Sequence, residues 1–159
     1  MKVAVGKGAA AVLLLNRDSS RAKAAEEKLL AKVKLCDSKT KVESISCDMM
    51  SLSKVRSAAE AVNKVAKKFG GLDVLICNAG IMAMKDERTE DGFEVQMQVN
   101  HISHFLLTYL VYPSIKAAGD KRGDARIVMH SSLARDFPKG MLEPQYFEKN
   151  PAGSLGGDE

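Results

Sequence analysis

A tyrosine and a lysine stand four residues apart in the sequence YPSIK, at residues 112–116. On a helix this spacing places the two side chains one turn apart. An ammonium group beside a phenol favours the phenolate and lowers a pKa that is ordinarily about 10. The pair therefore has the spacing of a tyrosine acid/base, and the alternative is a surface tyrosine beside a surface lysine.

Small or hydrogen-bonding side chains follow four segments that are expected to be strands. These residues are Asn16-Arg17-Asp18, Asp48, Asn78-Ala79-Gly80 and Ser131-Ser132. In parallel sheets, ligands bind beyond the carboxyl ends of the strands. Each set alone could be ordinary loop chemistry, but four sets at matching positions indicate a ligand-binding edge.

Strands and helices alternate along the chain, and this pattern predicts a parallel sheet with helices on both faces. The apolar runs predict strands at 9–15, 41–47, 72–77 and 125–130. Apolar residues at helical spacing, with capping residues at the starts, predict helices at 19–35, 51–69 and 91–118. Residues 81–89 are expected to form a polar loop and 119–123 a turn, and nothing periodic follows Ser131.

Length and composition favour one globular domain. The chain has 159 residues, of which 45% are hydrophobic and 28% charged. The longest apolar run, residues 9–15, is too short to cross a bilayer, and no signal-peptide pattern follows Met1, so we expect a cytoplasmic location or an organelle interior. The three cysteines lack metal-ligand spacing, and we expect them to be reduced and mostly buried.

The charge is distributed unevenly. Residues 1–71 carry 15 basic and 7 acidic side chains, a net charge of +8, whereas residues 72–159 carry 9 and 13, a net charge of −4. The basic half contains one aromatic residue, Phe69, and the stacking platforms that bind nucleic-acid bases need aromatic residues. We therefore expect solvated helix faces or a small phosphate-bearing ligand, and no nucleic acid.

Three motifs resemble the short-chain dehydrogenase/reductase family, especially its retinol-dehydrogenase-like members. They are CNAG at 77–80, TEDGFEVQMQVNHISHFLLT at 89–108 and RIVMHSS at 126–132, and the resemblance runs from about residue 9 to residue 139. It implies a doubly wound, Rossmann-like α/β fold and hydride transfer between a nicotinamide cofactor and an alcohol or carbonyl substrate. Family enzymes use a tetrad of asparagine, serine, tyrosine and lysine, and they are often homodimers.

The resemblance assigns two catalytic residues. Asn100 matches the tetrad asparagine, which helps to hold a helix bend and a water in a proton relay, and Ser132 matches the serine that hydrogen-bonds the substrate oxygen. The expected partner is a small-molecule alcohol or carbonyl compound. Its identity stays open.

The resemblance also assigns cofactor-binding residues at the strand ends. Asp48 and Met49 match the pair that flanks adenine, and Asn78, Ala79 and Gly80 match the motif that braces the sheet and lets backbone approach the cofactor. Arg17 follows the second strand of the fold, where a guanidinium can grip a 2′-phosphate. This position predicts NADP over NAD, and the alternative for Arg17 is a solvated turn residue.

Two features near the site depart from the family pattern. Family members often have glycine where Ser103 stands, so the close approach of helices there is open to question. The family's glycine-rich loop does not precede residues 9–15, although Gly6, Gly8 and Ala11 fit a G-x-G-x-x-A fingerprint that would require a helix from residue 9 onward. By the resemblance, MKVAVGKGA instead matches the tail of the family's first helix. We therefore expect Met1 to be an internal methionine of a longer protein.

The tyrosine and lysine of the tetrad have no match. After Ser132 the only tyrosine is Tyr146, and Asn150 stands four residues later, whereas Tyr112 precedes the serine and follows Asn100 by 12 residues. Pro113 should also push Tyr112 away from helical geometry.

We therefore expect residues 1–159 to form a single partial NAD(P)-binding domain with an irregular tail at 133–159. It would lack the first strand, the catalytic helix and the later strands of the fold. The sequence predicts a portion of an NADP-dependent oxidoreductase that is inactive by itself. The alternative is a non-catalytic remnant that binds a nucleotide or a full-length relative.

Overall fold

A computed structural model describes residues 2–85, 87–133 and 144–149. Helices and strands alternate, as the apolar pattern predicted. In chain order they are α1 (Lys2–Gly6), β1 (Ala11–Asn16), α2 (Ser20–Leu35), β2 (Lys41–Ser46), α3 (Leu52–Lys68), β3 (Val74–Cys77), α4 (Val95–Met97), a π-helical turn (Gln98–Ile102), α5 (Ser103–Arg122), β4 (Arg126–Met129) and a 3₁₀ turn (Pro144–Phe147).

The strands form two parallel pairs. β1 pairs with β2 in the register Leu13 to Glu43, and β3 pairs with β4 in the register Leu75 to Ile127. Within the described ranges, no ladder joins one pair to the other. In the doubly wound order 3-2-1-4-5-6, these strands correspond to the second and third and to the fourth and fifth. The expected α/β sheet, interrupted where the first strand of the fold belongs, is confirmed.

Helices cover both faces of the first strand pair. Val12 and Leu14 of β1 are buried against Leu29 of α2 and Val5 of α1. The alternate residues of β1 pack instead on the cluster that contains Val55 of α3. This alternation is what a strand between two helical layers requires.

In the second strand pair, β3 packs on α3 and α5. Leu75 and Cys77 of β3 are buried in one cluster with Leu107 and Val111 of α5. Gly71, between α3 and β3, allows the close approach, because it has a φ of +128° and a Cβ there would lie 2.5 Å from the backbone nitrogen of Ala118. An L-residue at this position would meet both a strained backbone and a steric clash.

Serine caps begin the two long helices of the first half. Ser19 accepts a hydrogen bond from the Ala22 amide and Ser51 from the Lys54 amide, so both caps lie where the sequence predicted them. The α1 helix at Lys2–Gly6 and the strand at Ala11–Asn16 agree with the tail of a first helix. They contradict the G-x-G-x-x-A interpretation, which requires a helix where β1 lies.

The predicted helix at 91–118 is wrong at both ends. Gly92 has a φ of +87° in a turn, and Glu94 caps α4 by accepting from the amides of Gln96 and Met97. The turn expected at 119–123 is helical instead, because α5 continues to Arg122 and ends at Gly123 with a φ of +80°. Glycine can take this left-handed conformation without strain, and this freedom sets the end of the helix.

Three further expectations concern the geometry of Tyr112, the burial of the cysteines and the irregular tail. Tyr112 is helical, since α5 runs through Pro113, so the doubt about its geometry is corrected. Cys47 and Cys77 are buried as expected, but Cys36 is exposed because it lies at the end of α2. Most of the predicted tail, at 134–143 and 150–159, lies outside the described residues.

Candidate functional site

The predicted strand ends lie together within each strand pair. The Cys47 amide donates to the Asn16 carbonyl at 2.9 Å, and the His130 amide donates to the Cys77 carbonyl at 3.0 Å. The segments that follow β1 and β2, and those that follow β3 and β4, therefore leave the sheet at matching levels. This edge is the one where α/β folds bind ligands.

Arg17 follows β1 at this edge. Its side chain is exposed, and it makes no ion pair or hydrogen bond with any part of the chain that the structure describes. The next residue, Asp18, pairs with Lys23 at 3.7 Å, but both side chains are more than 70% exposed. Such an exposed pair contributes little to stability. Because Arg17 is exposed and has no partner among the described residues, its guanidinium is accessible from solvent.

Asp48 and Met49 form the loop that follows β2. The Oδ1 atom of Asp48 accepts from the Met50 amide at 3.0 Å, and its carbonyl accepts from the Ser51 amide at 3.1 Å. These bonds fold the loop tightly onto the start of α3. The carboxylate keeps its second oxygen for another donor.

Cys47 begins the same loop but is not a nucleophile at neutral pH. Burial raises the pKa of its thiol to about 11, and the nearby Asp48 carboxylate acts in the same direction. Only the thiolate is a strong nucleophile. The residue is therefore a structural thiol beneath the loop.

Asn78, Ala79 and Gly80 form the loop that follows β3. The Nδ1–H group of His130 donates to the Oδ1 atom of Asn78 at 2.8 Å, which ties the ends of β3 and β4 together. The Ala79 carbonyl accepts from the Nε2–H group of His104 at 2.8 Å. The two histidines thus hold the loop against the sheet and the helix. All three loop residues are exposed, so the loop backbone remains accessible to a ligand.

Asn100 lies in the π-helical turn and holds the same loop one residue further on. Its side-chain nitrogen donates to the Ile81 carbonyl, and its side-chain oxygen accepts from the Ile81 amide, both at 2.9 Å. A Cβ on Gly80 would come within 3.4 Å of that oxygen. The π-turn lies where the resemblance predicts a helix bend, and such turns are frequent at functional sites.

Ser132 follows β4 and its side chain is exposed. The bond between His130 and Asn78 shows that this segment leaves the sheet beside the loop of residues 78–80. The structure thus brings Asn100 to that loop and starts the Ser132 segment from the same edge. Arg17 makes no direct contact with either.

Four polar residues at this edge were missed by the sequence analysis: Asp91, Gln98, His104 and His130. Gln98 and His104 are buried, at 0% and 4% exposure. The Nδ1 atom of His104 has no partner among the described residues. Buried polar groups in native proteins ordinarily have partners. The stretch EVQMQVNHISH contains many polar residues, however, so no local pattern distinguished the buried ones from those of a surface helix.

The tyrosine and lysine of YPSIK lie far from these loops. Lys116 pairs with Asp120 at 2.6 Å, and this contact, more than the nearby Tyr112, raises the pKa of Lys116. Twelve residues separate Asn100 from Tyr112, roughly 18 Å along a helix at 1.5 Å per residue. This pair is not placed to share a substrate with Asn100.

The alternative glycine motif lies at the wrong edge of the sheet. Gly6 and Gly8 line a cleft of about 380 Å³ near the amino ends of β1 and β2. This position is opposite to the loops that follow the strands. The cleft is therefore not part of the candidate site.

Comparison with known proteins decides the family. The sequence pattern described as short chain dehydrogenase matches residues 2–144 of this chain. The chain belongs to the short-chain dehydrogenase family. The predicted resemblance is confirmed.

Curated relatives of this short-chain dehydrogenase chain include two named enzymes from Homo sapiens. It is 36% identical over 121 residues to polyprenol dehydrogenase, which covers 76% of this chain and 34% of that protein. It is 41% identical over 85 residues to retinol dehydrogenase 13, which covers 54% of this chain and 24% of that protein. The chain thus aligns with about a third or less of these relatives' lengths.

Solved structures share the fold of this short-chain dehydrogenase chain. The NADH-dependent reductase A1-R′ complexed with NAD matches with a TM-score of 0.66 and 20% identity, over 88% of this chain and 57% of that one. A metagenomic short-chain oxidoreductase in complex with NADP matches with a TM-score of 0.62 and 25% identity, over 86% and 58%. The two titles name different nicotinamide cofactors.

Among the helices of the described residues, none is long and apolar enough to cross a membrane. Nor do these residues contain a group of three or more histidine, cysteine or acidic side chains that could hold a metal ion.

Proposed function

We propose that this chain is a portion of an NADP-dependent oxidoreductase that transfers hydride between nicotinamide and an alcohol or carbonyl substrate. The observation that carries the proposal is the joint anchoring of two strand-end loops by one helix. Gln98 and Ser103 hold the Met49 loop, whereas Asn100 and His104 hold the loop of residues 78–81. One loop would face adenine and the other the nicotinamide half of the cofactor.

The residues at this edge fit a dinucleotide. Asp48 has a carboxylate oxygen to spare, Ala79 and Gly80 offer exposed backbone, and the exposed Arg17 guanidinium suits a 2′-phosphate. Guanidinium groups bind phosphate bidentately and remain charged at all working pH values. This chemistry favours NADP over NAD.

Asn100 and Ser132 would act at the substrate end. The Ser132 hydroxyl would hydrogen-bond the substrate oxygen, and Asn100 would keep the π-turn and the Ile81 backbone in place beside it. The bound cofactor would supply the hydride chemistry. Tyr112 has no role in this proposal, because it lies about three turns of helix away from Asn100.

The substrate class is proposed from the named relatives. Polyprenol and retinol are both isoprenoid alcohols, and dehydrogenases named for them are 36% and 41% identical to the aligned regions of this chain. We infer an isoprenoid alcohol, or the matching carbonyl compound, as the substrate of the whole enzyme.

Calorimetric titration of the 159-residue chain with two adenosine ligands tests the proposal. Adenosine 2′,5′-bisphosphate carries the 2′-phosphate of NADP, and adenosine 5′-monophosphate lacks it. We expect weak binding of both ligands and roughly tenfold tighter binding of the bisphosphate, the size of one charge-assisted contact.

The Arg17→Gln variant should abolish this difference, whereas Arg56→Gln, an exposed arginine on α3, should preserve it. Equal affinities of the unaltered chain for the two ligands would contradict NADP preference. No binding of either ligand would contradict a nucleotide site at this edge.

A further inference from the structure

The hydroxyl group of Ser103 lies at the boundary between the helix and the adenine-side loop. Ser103 is 0% exposed, and its Oγ–H group donates to the Met49 carbonyl at 2.6 Å, across 54 residues of sequence. The family often has glycine at this position, which has no hydroxyl to donate. The serine at this position thus bonds directly to the Met49 loop.

The π-turn explains why this hydroxyl reaches the loop. In the turn, the Ser103 amide bonds to the Gln98 carbonyl, five residues earlier. Side chains five residues apart diverge on an α-helix of 3.6 residues per turn, but they come close to alignment when one turn takes up an extra residue. Gln98 and Ser103 consequently reach the same carbonyl.

Gln98 supplies the second, weaker contact with Met49. Its side-chain nitrogen lies 3.4 Å from the Met49 carbonyl and 2.9 Å from the Asp91 carboxylate, and its oxygen accepts from the Thr89 hydroxyl. The same carboxylate oxygen of Asp91 accepts from the Leu52 amide at 2.8 Å. The loop and the start of α3 are thus held by one buried network.

We propose that Ser103 is a positioning residue that fixes the Met49 carbonyl, and with it the Asp48-Met49 loop, in the orientation that adenine requires. The inference rests on the proposed function for its ligand, but its structural part stands on the loop alone. Without the hydroxyl, the Met49 carbonyl would keep only the longer contact with Gln98. The loop would then open more often, and the adenosine end of the nucleotide would bind less tightly.

Hydrogen exchange of backbone amides tests the structural part without any nucleotide. In Ser103→Ala, we expect roughly 5- to 10-fold faster exchange at Met50, Ser51 and Leu52, the effect of one lost hydrogen bond. Ser103→Gly, which has the residue common in the family, should behave in the same way at these amides. The amides in the middle of α3 should be unaffected in both variants.

A matched control removes a different serine hydroxyl. Ser114 donates to Oδ1 of Asn63 at 2.7 Å, and so joins α5 to α3 away from the loop. Ser114→Ala should leave the exchange of Met50–Leu52 unchanged. Titration with adenosine 2′,5′-bisphosphate should show a several-fold loss of affinity in Ser103→Ala and none in Ser114→Ala.

The outcomes separate this inference from the proposed function. Unchanged exchange at Met50–Leu52 in Ser103→Ala, or faster exchange everywhere alike, would overturn the positioning role. If the unaltered chain binds no nucleotide, the proposed function fails, whereas selective loosening of the loop still supports positioning by Ser103. A loosened loop with unchanged nucleotide affinity would overturn the link between the loop and adenine.

Discussion

The side chain of Asn100 forms two hydrogen bonds with the backbone of Ile81, one donated and one accepted, both at 2.9 Å. This pair of hydrogen bonds resembles the pairing of one residue with a neighbouring β-strand, in which the same residue both donates and accepts. The contact fixes the loop of residues 78–81 against the helix. The side chain that the family resemblance predicts to be catalytic therefore also acts as a structural clamp between the helix and the loop.

Removal of this clamp by Asn100→Ala should lower the free energy of unfolding by about 1–2 kcal/mol, because two partly exposed hydrogen bonds are lost. Urea unfolding followed by circular dichroism measures the change. Asn63→Ala is the comparison, since Asn63 bonds to the Leu110 carbonyl away from the loop. Only Asn100→Ala should speed amide exchange at Ile81, and equal exchange there in both variants would count against the clamp.

The buried Gln98 network predicts a larger loss of stability. Gln98→Leu keeps the volume but removes one bond of the Asp91 carboxylate and leaves the Thr89 hydroxyl with only the 3.4 Å contact to the Phe93 carbonyl, which should cost about 2–3 kcal/mol. The matched control is Gln96→Leu, because the Gln96 side chain makes no hydrogen bond with the described residues. Denaturant unfolding of the two variants should differ clearly, and similar costs would mean that the network contributes little.

Gly71 should not tolerate a side chain. In Gly71→Ala the new Cβ would lie 2.5 Å from the Ala118 nitrogen and 2.7 Å from the Ser114 carbonyl oxygen, at a φ of +128°. Strain and clash together should cost at least about 3 kcal/mol. The control is Gly6→Ala, where nothing lies within 4 Å and the backbone is helical. Thermal unfolding of this control should match that of the unaltered chain.

Stability should fall at alkaline pH through the buried thiols. Burial raises the pKa of Cys47 from 9.0 to about 11 and also raises that of Cys77. Below pH 9 both the folded and unfolded chains hold the protons. Between pH 9 and pH 11 the unfolded chain releases the Cys47 proton while the folded chain keeps it, so the free energy of unfolding falls by at most about 2 kcal/mol from Cys47 alone.

Urea unfolding at pH 8, 9, 10 and 11 measures this slope. The slope should flatten in Cys47→Ala and persist in Cys36→Ala, because Cys36 is exposed. A slope that is the same in both variants would show that other groups dominate the alkaline loss.

The YPSIK pair should be dispensable for ligand binding. Tyr112→Phe and Lys116→Gln remove the phenol and the ammonium, but both side chains are exposed, and Lys116 pairs with Asp120. Affinity for adenosine 2′,5′-bisphosphate should stay within about twofold in calorimetric titration, since surface changes away from a site have small effects. A loss comparable to that of Arg17→Gln would place the nucleotide somewhere else on the chain.

Local sequence patterns were sufficient to predict the strands and the first two long helices. The caps Ser19 and Ser51 and the apolar runs of β1 and β3 depend on neighbours a few residues away, and their bounds differ from the predicted ones by two residues or fewer. The family motifs predicted that the strand-end loops lie at the carboxyl edge of the sheet. Their binding roles remain predictions that the experiments above address.

Long-range contacts account for what the sequence analysis missed. The predicted helix at Asp91 fails because the Asp91 carboxylate instead accepts from the Leu52 amide, 39 residues earlier. Likewise, Gln98 and His104 resemble ordinary polar residues of a surface helix until the loops that they hold are in place. No local pattern encodes a partner so distant in sequence.

The π-turn at Gln98–Ile102 also affects which mutations this helix can accept during evolution. Such a turn behaves as a one-residue insertion in an α-helix. Deletion of one residue between 98 and 102 would restore a regular helix and rotate everything before the deletion by about 100° relative to α5. Gln98 would then turn away from Met49 while Ser103 and His104 stayed in position. A point substitution in this turn removes the contacts of one side chain, whereas a change of length would break the link between the two loops in a single step.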